Sequence, residues 1–95
     1  MKKIILFLNN NYPGFYFKSH GGPYQRIGLP DIIGSYQGRF VGIEVKRPDK
    51  RNNTTASQKR VLFEIKNSGG ISGVATSIDE VRRIMDEAIQ GEILG

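Results

Sequence analysis

Residues 31–46, DIIGSYQGRFVGIEVK, constrain the fold more than any other stretch of the chain. Two apolar, largely β-branched runs flank Gln37-Gly38, so the segment reads as a β-hairpin: Ile32 to Tyr36, a turn, then Arg39 to Lys46. Side chains alternate along a strand, which places Phe40, Gly42, Glu44 and Lys46 on one face and Val41, Ile43 and Val45 on the other. The second face is a core face. The first carries two opposite charges at its end, which a strand built only for packing does not need. Asp31 opens the preceding strand as Gly28-Leu29-Pro30-Asp31, with Pro30 where a missing N–H costs least. In a hairpin turning at 37–38, the start of one strand faces the end of the other. Asp31 and Glu44 are therefore neighbours across the ladder, within one register step.

The rest of the chain supplies layers for this hairpin. KKIILFLNNN is too short for periodicity to separate a helix from a buried strand, and we read it as a helix. Tyr12-Pro13-Gly14 is a turn, FYFK a short strand, and SHGGPYQRIGLP a long loop with three glycines and two prolines. After a polar loop, RPDKRNNTTA, the stretch SQKRVLFEIKNSGG forms a helix with Val61, Leu62 and Ile65 as its apolar stripe. ISGVATS is a strand. SIDEVRRIMDEAI is a last helix, with Ser77 and Glu80 at capping-box spacing. The order helix, three strands, helix, strand, helix describes one α/β domain over residues 1–95, a mixed central β-sheet flanked by helices.

Composition narrows the chemistry. No cysteine and a single histidine, His20, remove disulfides, thiolate metal sites and nitrogen-rich zinc sites, so any metal is held mostly by oxygen. Ninety-five residues build one modest core, and dimerisation through an apolar patch is an ordinary supplement to it. The net charge of +5 is unevenly placed: Lys46, Arg47, Lys50, Arg51, Lys59 and Arg60 fall in one short stretch, while acidic residues crowd the C-terminus. A polyanion on one face accounts for this, as does a plain solvated surface. Five apolar residues, Ile4 to Leu8, are too few for a membrane span or a usual signal-peptide core, so no membrane is expected and the protein reads as soluble and cytoplasmic.

Paired carboxylates repel and raise a pKa unless a cation lies between them. Mg²⁺ answers that need: it takes oxygen ligands and is typically held by one or two carboxylates plus substrate phosphate. Lys46 beside the pair adds positive charge where a phosphorus centre gains negative charge. The plain alternative is an Asp–Lys–Glu surface salt-bridge cluster, since Glu-x-Lys alone is common. Arg26, five residues before Asp31, suits phosphate recognition. Tyr24 and Tyr36 are candidates for stacking on unpaired bases. Gly21, Gly22 and Gly28 match no nucleotide-binding loop, and Pro48-Asp49 reads as a turn. Gln58 stands at capping-box spacing from Thr55, yet also on the sheet-facing side of its helix; spacing leaves both roles open.

The combination GLPDIIG…GRFVGIEVK…SQKRVLFEIKNSGG, from about Arg26 to Ile78, resembles the virus-type replication-repair nuclease (VRR-Nuc) domain of the PD-(D/E)xK nuclease superfamily. The resemblance implies a restriction-endonuclease-like core and a Mg²⁺- or Mn²⁺-dependent DNA endonuclease. Asp31, Glu44 and the main-chain carbonyl of Val45 become metal ligands, Lys46 the catalytic lysine, and Gln58 the active-site glutamine of the following helix. Small stand-alone members resemble Holliday-junction resolvases and act as homodimers, which implies a four-way junction as substrate in a bacterial or phage-infected cell. Members within larger repair proteins resemble flap nucleases. Many members add a glutamate from the N-terminal helix, whereas here no acidic residue precedes Asp31, leaving two carboxylates or a substitute such as Asn10. Arg26, Arg47, Lys50, Arg51, Lys59 and Arg60 are the expected DNA contacts, and Ile4–Leu8, five apolar residues in a row, is a candidate for part of the dimer interface. A non-catalytic nucleic-acid-binding module is the competing class.

Overall fold

The hairpin forms as the alternation requires. In the computed structural model, which describes residues 1–20 and 26–94 with side chains through residue 91, β2 (Ile32–Tyr36) and β3 (Arg39–Val45) pair antiparallel. Gln37 and Gly38 make their turn with positive φ, 48° and 81°, and the Gly38 position is the one that suits glycine best. β1 (Phe15–Lys18) adds antiparallel to β2, and β4 (Ile71–Ala75) adds parallel to β3, giving one mixed sheet in the order β1-β2-β3-β4. A parallel neighbour needs a crossover, and α2 (Ala56–Asn67) supplies it. The N-terminal segment is a helix, α1 (Lys2–Asn11), and the chain ends in α3 (Ile78–Leu94).

The two faces of the sheet differ. On one, Ile32, Val41, Ile43, Ile71 and Ala75 pack with Ile4 and Leu8 of α1 and Val81 and Met85 of α3. Tyr12 ties these two helices together by donating its hydroxyl to Asp86, and Tyr16 donates to the Tyr12 carbonyl at 2.6 Å. On the other face α2 covers β3 and β4: Ile65 lies over Gly42, and Ser72 Oγ donates to the Leu62 carbonyl at 2.6 Å. Gly42 matters here, because a Cβ would stand 2.7 Å from Ile65 Cδ1 and 2.9 Å from Pro30 Cγ.

Three expectations need revision. Part of the polar loop before α2 winds into a 3-10 helix, Pro48–Asn53, started by a proline at its first turn. At α3 the box is only half formed: Ser77 Oγ accepts from the Glu80 N–H at 3.2 Å, but the Glu80 carboxylate accepts instead from the Thr76 N–H and hydroxyl, each at 2.6 Å. Finally, Ile4 and Leu8 are core residues, Ile5 and Phe7 pack against that core, and only Leu6 of this run is exposed. The Ile4–Leu8 run is therefore used within the protomer and offers no continuous apolar surface to a second copy. Among the described residues, no helix is long and apolar enough to cross a membrane.

Candidate functional site

Ile32 pairs with Ile43, so the next positions outward, Asp31 and Glu44, stand opposite each other where β2 begins and β3 ends. Both belong to the face that α2 partly covers. Asp31 is fixed from two sides: its Oδ2 accepts from the Val45 N–H at 2.8 Å, and its carbonyl accepts from the Ser19 N–H at 2.8 Å. Ser19 Oγ in turn donates to the Pro30 carbonyl at 2.6 Å, tying the Pro-Asp entry to the end of β1.

Glu44 is 2% exposed, and its Oε2 is buried with no hydrogen-bond partner. Leaving such an acceptor unsatisfied costs about 1–3 kcal/mol, and more when it is charged. Burial, a hydrogen bond shared with Asp31, and the Asp31 charge push the Glu44 carboxyl up to about 8, while Lys46 pulls in the opposite direction. Lys46 lies two residues on along the same face and remains held to the sheet, its N–H donating to the Ala75 carbonyl at 2.9 Å. A strand residue turns its N–H and carbonyl to the same side. Because the Val45 N–H addresses Asp31, the Val45 carbonyl is turned to that side too.

This donor set fits a hard dication. An orphaned carboxylate oxygen, a second carboxylate beside it, a main-chain carbonyl turned toward them and no soft ligand are what Mg²⁺ or Mn²⁺ takes, with water and phosphate completing the shell. Among the described residues no third Asp, Glu, His or Cys joins the pair. α1, which carries Asn10, packs on the opposite face of the sheet through Ile4 and Leu8.

The raised carboxyl has a consequence for stability. The folded protein keeps the Glu44 proton to about pH 8, whereas the unfolded chain releases it near the ordinary value of 4.5. Between those values the folded state binds more protons, so stability without metal falls as pH rises from about 4.5 to 8. Glu44→Gln is expected to flatten that fall and to raise metal-free stability at pH 8 by on the order of 2 kcal/mol, roughly 10 °C in Tm. Added Mg²⁺ or Mn²⁺ is expected to restore the wild type and do little for Glu44→Gln. Thermal melts at pH 5 and 8 decide it: superimposable profiles of the two proteins count against a buried Glu44.

Gln58 is a cap in this structure. Its N–H donates to Thr55 Oγ1 at 3.1 Å and its Oε1 accepts from the Thr55 N–H at 2.9 Å, a complete capping box. It nonetheless sits near the carboxylates' loop. Gly28, at φ 89°, approaches the first turn of α2 so closely that a Cβ would lie 2.6 Å from the Ser57 carbonyl oxygen. Gln58→Ala is expected to cost about 1 kcal/mol through the lost cap. Comparison with Gln58→Glu separates the roles: equal recovery of melting temperature and activity means a cap alone, and recovered stability without activity means that the side chain also serves the site.

The expected phosphate contacts are mostly engaged elsewhere. Arg26 and Arg60 both pair with Glu64, Arg47 with Asp49 at 3.5 Å, and Arg51 with Glu80, whose carboxyl the Thr76 and Arg51 hydrogen bonds hold down to about 2. Lys50 and Lys59 have no ion pair among the described residues. Exposed pairs contribute little, so trading a carboxylate for a phosphate is inexpensive. Tyr36 turns to the core face, edge-on to Tyr12 with centroids 6.1 Å apart, and is no stacking platform; Gly21, Gly22 and Tyr24 lie outside the described residues. His20 is exposed.

Sequence reading missed the exposed aromatics of the same sheet face: Phe15 is 65%, Phe17 44% and Phe40 46% exposed. The signal was present in FYFK, whose alternation must send two phenylalanines to the face opposite Tyr16. No family model and no curated protein sequence matches this chain.

Proposed function

We propose that this chain is a metal-dependent, structure-selective DNA endonuclease with a restriction-endonuclease-like core, similar to VRR-Nuc domains. One observation supports the reading above the others: the buried, unpartnered Oε2 of Glu44 next to Asp31. A surface salt-bridge cluster would leave no carboxylate oxygen buried and unpaired. A non-catalytic binding module has no reason to set two carboxylates where phosphate must approach.

Asp31, Glu44 and the Val45 carbonyl would hold Mg²⁺ or Mn²⁺. When bound, the metal supplies Lewis-acid polarisation of a phosphate oxygen and a lowered pKa for bound water. The protein's own residues do the rest. The Val45 N–H keeps the Asp31 carboxylate oriented, and burial keeps Glu44 from rotating into solvent. Lys46 presents a cation on the same face, where it orients the attacking water and offsets charge developing on the phosphoryl oxygens. The basic stretch from Lys46 to Arg60 holds duplex arms through phosphates, which makes binding strongly salt-dependent.

Of the branched substrates, a four-way junction cut by a homodimer requires a two-fold interface. Ile4–Leu8 no longer provides one. Cleavage at a flap or nick gains support from the exposed phenylalanines beside the carboxylates. The test is direct: labelled junction, flap, nicked duplex, intact duplex and single strand, each incubated with and without Mg²⁺ or Mn²⁺. Metal-dependent incision of branched DNA is expected. Binding of all five without incision under any metal would leave only a binding module.

A further inference from the structure

Among the described residues α2 covers β3 and β4, and on the same face of β1 Phe15 and Phe17 stay exposed. These residues are unexpected there. On β1 the core receives Tyr16, whose hydroxyl must then be satisfied by the Tyr12 carbonyl, while Phe15 and Phe17 project to the other side. Solvent alone favours the reverse choice, since phenylalanine has no polar group to keep wet. Their rings lie side by side, centroids 5.6 Å apart and tilted by 51°.

Register then sets these rings relative to the carboxylates. Phe17 pairs with Ile33 and Ile33 with Gly42; Phe15 pairs with Ser35 and Ser35 with Phe40. Asp31 and Glu44 lie two residues beyond Ile33 and Gly42, on the same face. The face therefore carries three successive rows: the carboxylates, then Phe17, then Phe15 with Phe40. Rows two residues apart are separated by about 7 Å, so the two rings of β1 stand about 7 and 14 Å from the carboxylate row along the strands.

We propose that Phe17 and Phe15 form a stacking track for unpaired bases, so that a single-stranded segment of the DNA crosses β1 and β2 as it leaves the carboxylates. This rests on the nuclease reading and names its substrate class, DNA with a single-stranded arm. Two observations favour such a strand over a second copy of the chain. Three half-exposed phenylalanines, each of about 150–250 Å² in all, present a patch of a few hundred Å², short of the roughly 800 Å² per partner of a stable interface. Charge points the same way. Between residues 46 and 66 seven Lys and Arg stand against two acidic residues, Arg51 reaching round to Glu80, whereas residues 78–87, behind the sheet, hold four acids against two arginines. A polyanion is attracted to the first stretch, and two copies meeting through it repel.

The test uses the whole protein in EDTA, where no metal-dependent cleavage intervenes, with a fluorescent oligothymidylate titrated by anisotropy. Phe15→Ala and Phe17→Ala are each expected to weaken its binding by about 5- to 150-fold, the range for loss of one base–aromatic stack. Phe17→Tyr, which keeps a ring, is expected to bind as wild type, and Phe17→Leu, which keeps apolar area alone, to bind as Phe17→Ala. Phe63→Ala removes an exposed ring of α2 outside the track and is expected to leave binding intact. Wild-type affinity in the Phe15→Ala/Phe17→Ala double variant overturns the proposal, as does wild-type affinity in Phe17→Leu. So does sedimentation showing a wild-type dimer that the double variant dissociates, which identifies the face as an interface between copies. A track confirmed in EDTA, with no incision of any DNA once metal is added, removes the nuclease reading and leaves the single-strand site standing.

Discussion

Asp31→Asn and Glu44→Gln are each expected to abolish metal-dependent cleavage while leaving DNA binding at wild-type strength or tighter. The two results belong together, because they separate a metal ligand from a structural ion pair. Asp31→Asn removes a negative charge next to the path of a phosphate, and Glu44→Gln removes one wherever Glu44 is ionised, so electrostatics alone does not disfavour the bound state. Each also removes an oxygen that a dication requires, and two carboxylates leave no spare. Folding is not a confounder for Glu44→Gln, whose neutral side chain suits the buried position better than a carboxylate without metal does. For Asp31→Asn, the bond from the Val45 N–H to Oδ2 survives if the amide presents its oxygen there. Binding measured in Ca²⁺ or EDTA, beside cleavage in Mg²⁺ and Mn²⁺, gives both readouts. Full cleavage by both variants would move the chemistry elsewhere in the molecule.

Lys46→Ala is expected to lower turnover by about 10²-fold or more, as removal of a preorganised charge stabiliser does, with a smaller change in affinity. Deleting a cation that merely binds phosphate on a basic surface acts mainly on affinity and on its salt dependence. The two roles are thus separable by the split between kcat and KM. Lys46→Arg keeps the charge but spreads it over a planar fork, and is expected to recover binding more than turnover. A Lys46→Ala protein that binds about tenfold more weakly and keeps its turnover would make this lysine one more phosphate-binding group of the basic surface.

The carboxylate pair was legible in the sequence because a hairpin leaves little freedom. Gln37-Gly38 sets the turn, the turn sets the register, and strand alternation sets the faces; Asp31 and Glu44 follow as neighbours without knowledge of any helix. Local patterns also located α1, α2 and β4 to within a few residues, since caps and apolar stripes act over one or two turns. Gln58 was ambiguous for a physical reason: one side chain satisfies both the cap and the sheet-facing position, and spacing cannot say which bond it makes.

Tertiary packing decided what local rules do not reach. Whether Ile4–Leu8 lies in a core or on a surface depends on α3 arriving against it from the far end of the chain. Whether Arg51 is available to a phosphate depends on Glu80, twenty-nine positions away, and Glu80 is there because its carboxylate chose the Thr76 N–H over its own cap. The depth of Glu44, which turns a common Glu-x-Lys into a buried orphan oxygen, and the exposure of Phe15 and Phe17 on the same face depend, among the described residues, on where α2 lands on the sheet. Alternation and turn chemistry are short-range, so the sequence by itself determined which residues share a face. Burial is a sum over distant segments, and only the folded chain decided which of those faces stays open to a ligand.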